Sequence, residues 1–403
     1  MISYDEALRR VLDGVAPPAR ERASVTEAVG RVLVDEVTAR VDLPAFEHSS
    51  MDGWAVATSS FAGEGPWSLP VEGESRAGAR ELAPLREGHA ARIFTGAPLP
   101  EGADAVVPQE DVSLDDARVR FTRAPSAGAF VRRRGEDVSR GSVIAPAGVR
   151  VTPWHLAAFT AAELPSVVVA RRPRVSILAT GDELREAVEP PRPGSVVDAI
   201  TPALAALVRR VGGDPRVLPF ARDVADATRA AVTDALRGAE LVLTVGGVSV
   251  GDHDLVRGAL ESSGVTLDFW RVAIKPGKPL CLGHARSGAR VLGLPGNPSS
   301  ALLTFALFGA PLVRAMQGER RVQPRRFDAT LTRPLTRAPG RREFYRVTLD
   351  DDAAGPPRAT PLANQASGSA LSLAAADALM DVPAECDHLV AGAAVRCFRL
   401  SDV

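Results

Sequence analysis

The stretch RVSILAT, residues 174–180, decides the fold class of this chain because it is largely apolar and ends in small and polar residues. A second such run, ELVLTVGG, occupies residues 240–247, and between the two lie helix-like stretches at 201–213 and 223–238. Strands that are apolar on both faces and alternate with helices are typical of a parallel sheet covered on both sides. We therefore predict a doubly wound, mostly parallel α/β sheet domain over residues 171–318.

Three further zones flank the α/β domain. Residues 1–44 and 138–170 contain helix-like patterns, such as SVTEAVGRVLVDEV at 24–37, and predict an N-terminal helical domain. The zone between them, 45–137, has short alternating runs separated by Gly and Pro clusters, which predicts an inserted small β domain. Residues 319–403 return to alternating runs and predict a small C-terminal β domain.

Composition excludes several classes of protein. The formal net charge of −1 over 403 residues argues against a bulk nucleic-acid binder, which needs a basic excess. The amino-terminal stretch MISYDEALRRVLDG has the pattern of an amphipathic helix, not of a secretory signal. The longest apolar run, ALLTFALFGAPLV, is shorter than the roughly 18 residues of a membrane span and is interrupted by Gly309 and Pro311. We therefore expect a cytoplasmic protein without a membrane segment.

Polar residues gather where the predicted strands end. Because the carboxyl ends of parallel strands share one edge of the sheet, we expect these residues to lie close together. Paired glycines let backbone N–H groups approach an anion, and carboxylates hold a hard cation such as Mg²⁺ against phosphate. Two simpler interpretations stay open, namely a tight strand-to-helix turn for the glycines and helix N-caps for the acids. The residues concerned are Glu183, Asp223, Gly246, Gly247, Ser249 and Asp254.

Lysine usage points to a second feature of the same edge. Lys275 and Lys278, in VAIKPGKPLCLG at 272–283, are the only lysines, and the other 46 of the 48 Lys+Arg residues are arginine. An ammonium is a compact point charge, whereas a guanidinium is a wide planar fork. Two lysines three residues apart in such a chain predict a site for a small anion. The alternative is a solvated loop in which both lysines are accidental.

Seven motifs in order then carry a resemblance that covers nearly the whole chain. They are SSMDGWAV (49–56), FTGAPLPEGADAVVPQE (94–110), VRRRGEDV (131–138), LATGDEL (178–184), TVGGVSVGDHD (244–254), AIKPGKP (273–279) and GLPGNPSS (293–300). Towards the C-terminus GRREFYRV and NQASGSALSLAAAD extend the match. Together they resemble the molybdopterin molybdenumtransferases, the family that includes MoeA and the gephyrin E domain. The resemblance implies an α/β domain of the molybdopterin-binding type.

The resemblance also implies an activity and an assembly. The implied reaction is the last step of molybdenum-cofactor synthesis, in which adenylylated molybdopterin and molybdate give molybdenum cofactor and AMP. It implies dependence on Mg²⁺ or another divalent cation. It also implies an elongated homodimer whose active site lies between the α/β domain of one subunit and the N-terminal domains of the other. The molybdopterin adenylyltransferase of the preceding step is a further candidate partner.

The patterns described above and the matched motifs together assign roles to sixteen residues. The resemblance implies catalytic roles for Asp52, Thr95, Asp137, Glu183, Asp223 and Asp254, of which Glu183, Asp223 and Asp254 are also the expected metal ligands. The expected substrate-binding positions are Gly246, Gly247, Ser249, Lys275 and Lys278 from the sequence patterns, and Pro295, Asn297, Pro298, Arg341 and Ser367 from the resemblance. In this scheme the two lysines hold molybdate, a tetrahedral dianion.

The chain departs from the family pattern at a few positions. Ala199 and Ile200 replace a polar pair that ends in Asn, His253 replaces a Tyr, and Asp377 replaces an Asn. Two rival functions also remain at this stage. One is a molybdopterin adenylyltransferase-like enzyme, which leaves the additional N- and C-terminal domains unexplained. The other is a non-catalytic scaffold of the gephyrin E-domain type, against which the full set of acids argues.

Overall fold

The α/β domain contains a six-stranded sheet, as the computed structural model shows; it describes residues 1–78, 82–247, 255–352 and 355–403. Neighbouring strands are parallel, except that Cys281–Ala285 runs antiparallel to both of its neighbours. The prediction of a mostly parallel sheet is therefore confirmed. In spatial order the strands are Asp214–Val217, Arg174–Ala179, Leu241–Val245, Arg290–Leu294, Cys281–Ala285 and Val265–Phe269.

Helices cover both faces of this sheet. Ile177 points into one hydrophobic cluster and its neighbour Leu178 into another, as alternation along a strand requires. The first cluster includes Leu204 and Phe308, and the second includes Val232 and Leu260. The sheet is therefore doubly wound, as predicted. Its helices are Thr201–Arg210, Ala225–Leu236, Leu255–Ser262, Pro298–Thr304 and Ala310–Met316, the last two joined by a π-helical segment, Phe305–Gly309.

The apolar run at 301–313 lies within a continuous helix, Pro298–Met316. Gly309 and Pro311 interrupt the run in sequence, but they do not end the helix. The π-helical segment precedes Pro311, whose missing N–H would break an ordinary α-helix at this point. This helix is long and apolar enough to cross a membrane, but 78% of its most apolar window is buried inside the protein. It is the central core helix of the α/β domain.

The N-terminal domain has two helices. Tyr4–Leu12 begins at Ser3, whose hydroxyl accepts from the Glu6 N–H, and it packs its apolar face into the α/β core. Pro153–Ala161 begins at Thr152, whose hydroxyl accepts from the His155 N–H. The strands of this domain pair antiparallel, Arg20–Ser24 with Ser166–Ala170 and Val37–Thr38 with Val143–Ala145.

One predicted helix is wrong. Residues 25–30 of SVTEAVGRVLVDEV form turns, and Gly30 adopts a left-handed φ of +79° that ends any helical path. Beyond it, Val32 bridges to Arg150 and Leu33 to Val169, so both residues join extended backbone instead. The valines that marked the apolar positions are β-branched and suit these bridges better than a helix.

The inserted domain is a β domain, as predicted. Its six-stranded sheet encloses a core that includes Trp54, Phe61 and Phe121. A separate short pair, His48–Ser49 with Val131–Arg132, joins the two ends of the insertion. In spatial order the strands of the sheet are Ala105–Pro108, Gly53–Val56, Ala90–Ile93, Trp67–Ser75, Arg118–Phe121 and Val112–Asp115, with short 3₁₀ turns at Thr58–Ser60 and Gln109–Asp111.

The C-terminal domain is a β domain in which the sheet closes on itself, because the strand Arg342–Asp350 also pairs with the strand Ala378–Val382. The α/β domain adds the strand Ile274–Lys275, which runs parallel to Arg342–Asp350. The remaining strands are Phe327–Leu331, Arg358–Pro361, Ala378–Val382 and Ala394–Arg399, with a short helix at Leu371–Ala374 and a 3₁₀ turn at Leu400–Asp402. The C-terminal domain also contains a pair of two-residue strands, Leu335–Thr336 with His388–Leu389. A second pair of this kind, Leu184–Arg185 with Val196–Val197, belongs to the α/β domain.

A buried ion pair ties the first helix to the C-terminal domain. The Arg342 guanidinium donates to both carboxylate oxygens of Asp381 at 2.6 Å, and the Asp381 side chain is only 3% exposed. The same guanidinium lies 4.6 Å from the ring centroid of Tyr4 and 3.0 Å from Asp5. Arg326 adds a second bond to Asp381 at 2.8 Å. One carboxylate therefore organises two arginines and the start of the chain.

We expect Asp381→Asn to lower the free energy of unfolding by about 2–4 kcal/mol, since it leaves two arginines without their buried carboxylate. Urea unfolding at neutral pH measures this change. Asp328→Asn is the matched control on the same sheet, because Asp328 and its partner Arg396 are 67% and 64% exposed, and it should cost less than about 1 kcal/mol. Equal effects of the two variants would contradict the assignment.

Candidate active site

A cavity of about 830 Å³ lies at the carboxyl ends of three adjacent parallel strands, Arg174–Ala179, Leu241–Val245 and Arg290–Leu294. The strand order reverses between the first two of these strands, which is where ligands bind in open α/β sheets. The structure thus brings together six of the predicted site residues in the wall of one cavity. They are Glu183, Asp223, Gly246, Gly247, Pro295 and Asn297.

The glycine pair is required by the packing at this edge. Gly246 and Gly247 have φ values of +82° and +63°, in the left-handed region. A Cβ on Gly246 would lie 2.9 Å from the Thr180 carbonyl oxygen, and a Cβ on Gly247 would lie 2.1 Å from a methyl carbon of Val256. The glycine pair therefore does form a tight turn after the strand, as the simpler interpretation holds. The same turn also leaves both residues in the cavity wall.

Two acidic loops meet at the cavity. The backbone N–H of Asp182 faces the Asp223 carboxylate and that of Asp223 faces the Asp182 carboxylate, each at 3.4 Å. Glu183 folds its carboxylate over Gly181, where a Cβ would lie 2.3 Å from the Glu183 Oε2 atom. Glu183 and Asp223 line the cavity together. Ser249 and Asp254, two predicted site residues of the next loop, lie outside the described residues, as does His253.

The carboxylates fit a hard cation. Within the described ranges, no group of three or more His, Cys, Asp or Glu side chains is arranged to hold a metal on its own. Mg²⁺ does not need such a group, since it commonly keeps several waters and takes one or two carboxylates plus substrate phosphates. Glu183 and Asp223 facing one cavity supply two carboxylates of this kind.

The lysine turn lies beside the cavity. Lys275 pairs in register with Glu343 of the C-terminal sheet, and its Nζ atom lies 3.3 Å from Glu343 Oε2. Lys278 is exposed, and Pro279, directly after it, lines the cavity. Gly277 has a φ of +104°, and a Cβ there would lie 2.3 Å from a methyl carbon of Thr304 in the core helix. Packing against that helix therefore determines the path of the backbone between the two lysines.

The C-terminal domain reaches the cavity through Ser367. Its hydroxyl accepts from Asn297 Nδ2 at 3.2 Å, and its carbonyl accepts from the Ser299 N–H at 3.0 Å. Pro298, between these two residues, begins the helix Pro298–Thr304. Arg341 lies directly before the strand Arg342–Asp350, which pairs with the first lysine. The predicted contribution of the C-terminal loops thus adjoins both the cavity and the lysine turn.

Asp52, Thr95 and Asp137 form no part of this cavity wall. The Asp52 carboxylate accepts from the Thr95 N–H at 2.7 Å and from its hydroxyl at 2.8 Å. These bonds, the backbone one first, hold the pKa of Asp52 below its ordinary value. Asp137 is exposed and accepts from Arg132 at 2.5 Å. Among the described residues, the structure therefore separates Asp52, Thr95 and Asp137 from the predicted site residues that lie at or beside the cavity.

The family departures have local structural roles here. The carboxylate of Asp198 accepts from the Ile200 and Thr201 N–H groups at 2.9 and 3.1 Å, so it caps the helix Thr201–Arg210 where Ile200 has no polar side chain. Ile200 itself is buried in the α/β core. Asp377 accepts from the Leu349 N–H at 2.8 Å. The protein's own hydrogen bonds thus accommodate the departures at Ile200 and Asp377, whereas His253 lies outside the described residues.

Sequence reasoning missed the group around Glu343. This carboxylate is buried and lies between Lys275 and Arg337, whose Nη1 atom is 3.6 Å from Glu343 Oε1. Tyr345 is two residues along the strand, and burial first and then the nearby Glu343 carboxylate raise the pKa of its hydroxyl. Period-2 alternation in REFYRV places Glu343 and Tyr345 on one face, and that was the available signal.

Comparisons with known proteins agree with this arrangement. Residues 2–162 match the MoeA N-terminal region (domain I and II), residues 176–315 a probable molybdopterin binding domain, and residues 328–398 the MoeA C-terminal region (domain IV). The fold is similar to the crystal structure of a molybdopterin biosynthesis MoeA protein from Pyrococcus horikoshii. The TM-score is 0.86 at 27% identity, covering 99% of this chain and 100% of that one.

Curated relatives give the same result. The chain is 35% identical over 349 residues to a molybdopterin molybdenumtransferase of Haemophilus influenzae, covering 86% of this chain and 85% of the relative. It is also 35% identical over 393 residues to molybdopterin molybdenumtransferase 2 of Mycobacterium tuberculosis, covering 94% of each. Seven ordered motifs, the strand-end cavity and these matches agree, and the chain belongs to the MoeA family of molybdopterin molybdenumtransferases.

Proposed function

We propose that this enzyme catalyses the final step of molybdenum-cofactor synthesis, in which molybdate enters adenylylated molybdopterin and AMP is released. The observation that carries this proposal is the strand-end cavity, in which Glu183 and Asp223 face a backbone turn and the chain's only lysines lie on the adjoining loop. Cationic and metal-binding groups on neighbouring loops suit a reaction between a phosphoanhydride and an oxyanion.

Glu183 and Asp223 are the proposed ligands of a divalent cation, with Asp254 as the third acid assigned from sequence. When bound, such a cation supplies charge neutralisation at the AMP phosphate as the phosphoanhydride bond breaks. The turn at Gly246 and Gly247 is proposed to meet the pterin's anionic end through the Gly247 N–H, since the Gly246 N–H already donates to the Leu294 carbonyl at 3.2 Å. Lys275 and Lys278 hold molybdate, and Ser367 and Asn297 position the rim of the site.

The site is proposed to be shared between two copies of the chain. Asp52, Thr95 and Asp137 lie in the N-terminal half and do not line their own chain's cavity. A homodimer in which the N-terminal domains of one copy approach the α/β domain of the other would bring the two groups together. We place this dimer in the cytoplasm, and the molybdopterin adenylyltransferase is the proposed source of the adenylylated substrate.

Two other functions fit less well. An adenylyltransferase-like enzyme would need only the α/β domain, and it leaves the matches to the MoeA N- and C-terminal regions without a role. A scaffold would not need Glu183 and Asp223 in one cavity. One assay distinguishes the three candidate functions. It measures the release of AMP from adenylylated molybdopterin and, in parallel, the consumption of ATP.

With pure protein and adenylylated molybdopterin, AMP release should require molybdate and Mg²⁺ together. Glu183→Ala and Asp223→Ala should each lower the rate by about tenfold or more, because they remove acids proposed to hold the cation. Both variants should keep their fold, since strand-end loops lie outside the core. Equal AMP release without molybdate, or wild-type rates in both variants, would be incompatible with the proposal.

Lys275→Arg and Lys278→Arg conserve charge but replace a compact ammonium by a wide planar fork. Each swap should raise the molybdate concentration for half-maximal AMP release by about tenfold, equivalent to about 1.4 kcal/mol of binding. Affinity for adenylylated molybdopterin should change less. Arg286→Lys, at an exposed position remote from the cavity, is the control. Unchanged molybdate dependence in both lysine variants would mean that the lysines are accidental.

A shared site predicts complementation between two strongly impaired variants. Mixing Asp52→Ala chains with Glu183→Ala chains under conditions of subunit exchange should restore about one quarter of wild-type activity, because half of the random dimers contain one intact site. Either variant mixed with itself should keep only its own residual rate. If the mixture recovers nothing although mass spectrometry shows mixed dimers, the two groups do not form one site.

A further inference from the structure

The two lysines of the KPGK turn differ in their surroundings. Lys275 forms an ion pair with Glu343 at 3.3 Å and still leaves 51% of its side chain exposed. For Lys278, the described parts of the chain contain no hydrogen bond or ion pair to the ammonium, which is exposed. One ammonium is therefore anchored by the C-terminal domain, and the other is held only through its backbone.

Glu343 is an unusual anchor because it is almost completely buried, with a side chain 6% exposed. Burying a carboxylate is costly unless cationic groups compensate it, and here the Lys275 ammonium at 3.3 Å and the Arg337 guanidinium at 3.6 Å do so. Arg337 does not depend on this acid for its hydrogen bonds, since its guanidinium donates to the carbonyls of Cys386, Arg341, Pro383 and Ala384. The contact that depends on Glu343 is the one to Lys275.

The strand pairing makes this contact rigid. Ile274 and Lys275 run parallel to Arg342 and Glu343, so the lysine backbone and the carboxylate backbone are fixed in register. Pro276 and Gly277 follow at once, and Gly277 is pressed against Thr304 of the core helix. A lysine has a long, flexible stem and loses much rotamer freedom when it is fixed. An acid that holds the ammonium beforehand removes that cost from ligand binding.

We propose that Glu343 is a positioning residue that holds the Lys275 ammonium in place for the oxyanion substrate. This rests on the proposed function and assigns to the C-terminal sheet a direct part in oxyanion binding. Loss of the carboxylate would add positive charge near the oxyanion, but Lys275 is half exposed and solvent screens that gain. The loss of a fixed position is therefore the larger effect, and binding weakens.

A double-variant cycle on the full-length enzyme tests the proposal through AMP release at varied molybdate concentration. Glu343→Gln should raise the half-maximal molybdate concentration about fivefold, with a smaller change in maximal rate. In a Lys275→Ala background the same substitution should have no further effect, whereas in a Lys278→Ala background its full fivefold effect should remain. Asp328→Asn, an exposed acid of the same sheet, should change nothing.

A second measurement does not depend on catalysis. Reductive methylation with ¹³C-formaldehyde labels the two lysines and the amino terminus, so the lysine region of an NMR spectrum has two signals, assigned with Lys275→Arg and Lys278→Arg. Glu343→Gln should shift the Lys275 signal and leave that of Lys278 in place. If the wild type releases no AMP in response to molybdate, the proposed function fails, and this spectrum still decides whether Glu343 holds Lys275.

Three results would overturn the proposal, the last of them being the behaviour of a purely structural Glu343. The first is an effect of Glu343→Gln on the molybdate requirement that persists undiminished when Lys275 is absent, which would show that the acid acts elsewhere. The second is an unchanged Lys275 signal in Glu343→Gln, which would show that no ion pair exists in solution. A purely structural Glu343 would lower the urea midpoint but leave the molybdate dependence unaltered.

Discussion

The approach of three backbone segments at the carboxyl ends of adjacent strands is the constraint on which the rest of the site depends. Gly246 and Gly247 have no space for a Cβ, because the Thr180 carbonyl and Val256 fill it. The loops that follow these strands lie close together, and the acids Glu183 and Asp223 line one cavity. The shape of this edge therefore results from tight packing around the main chain of the two glycines. Side chains at this edge add the chemistry to a shape that the backbone has already set.

The second level of organisation is between domains. The α/β domain contributes one short strand to the C-terminal sheet, and the C-terminal domain returns Ser367 to the cavity rim. Each of the two domains thus contributes a segment to the other. We expect these two contacts to oppose rotation of the α/β domain against the C-terminal domain. The ion pair of Arg342 with Asp381 adds a third connection through the first helix. The lysine turn lies within this framework and is thus positioned by both domains.

Much of the fold follows from sequence periodicity, because apolar runs that alternate with helical patterns bury their surfaces in a parallel sheet covered by helices on both faces. The strand-end cavity also follows, since parallel strands must end together. The helix expected at 24–37 failed because bridges from Val32 and Leu33 to distant backbone outweighed a local apolar pattern. Glu343 was missed for a related reason, since its importance comes from a register pairing with Lys275 across domains. Likewise, no local pattern shows that Asp52 and Glu183 lie apart within one chain.

The packing of the first helix has a consequence for how the protein is made. Tyr4 lies 5.3 Å, ring to ring, from both Phe308 and Phe344, so the helix is made long before its partners, which follow about 300 residues later in the chain. At about 5–20 residues per second, translation keeps the helix waiting for on the order of tens of seconds. Its apolar face, which includes Leu8 and Val11, stays uncovered during that time and is open to chaperones. The helix therefore completes its packing only after the strand that carries Phe344 has been made.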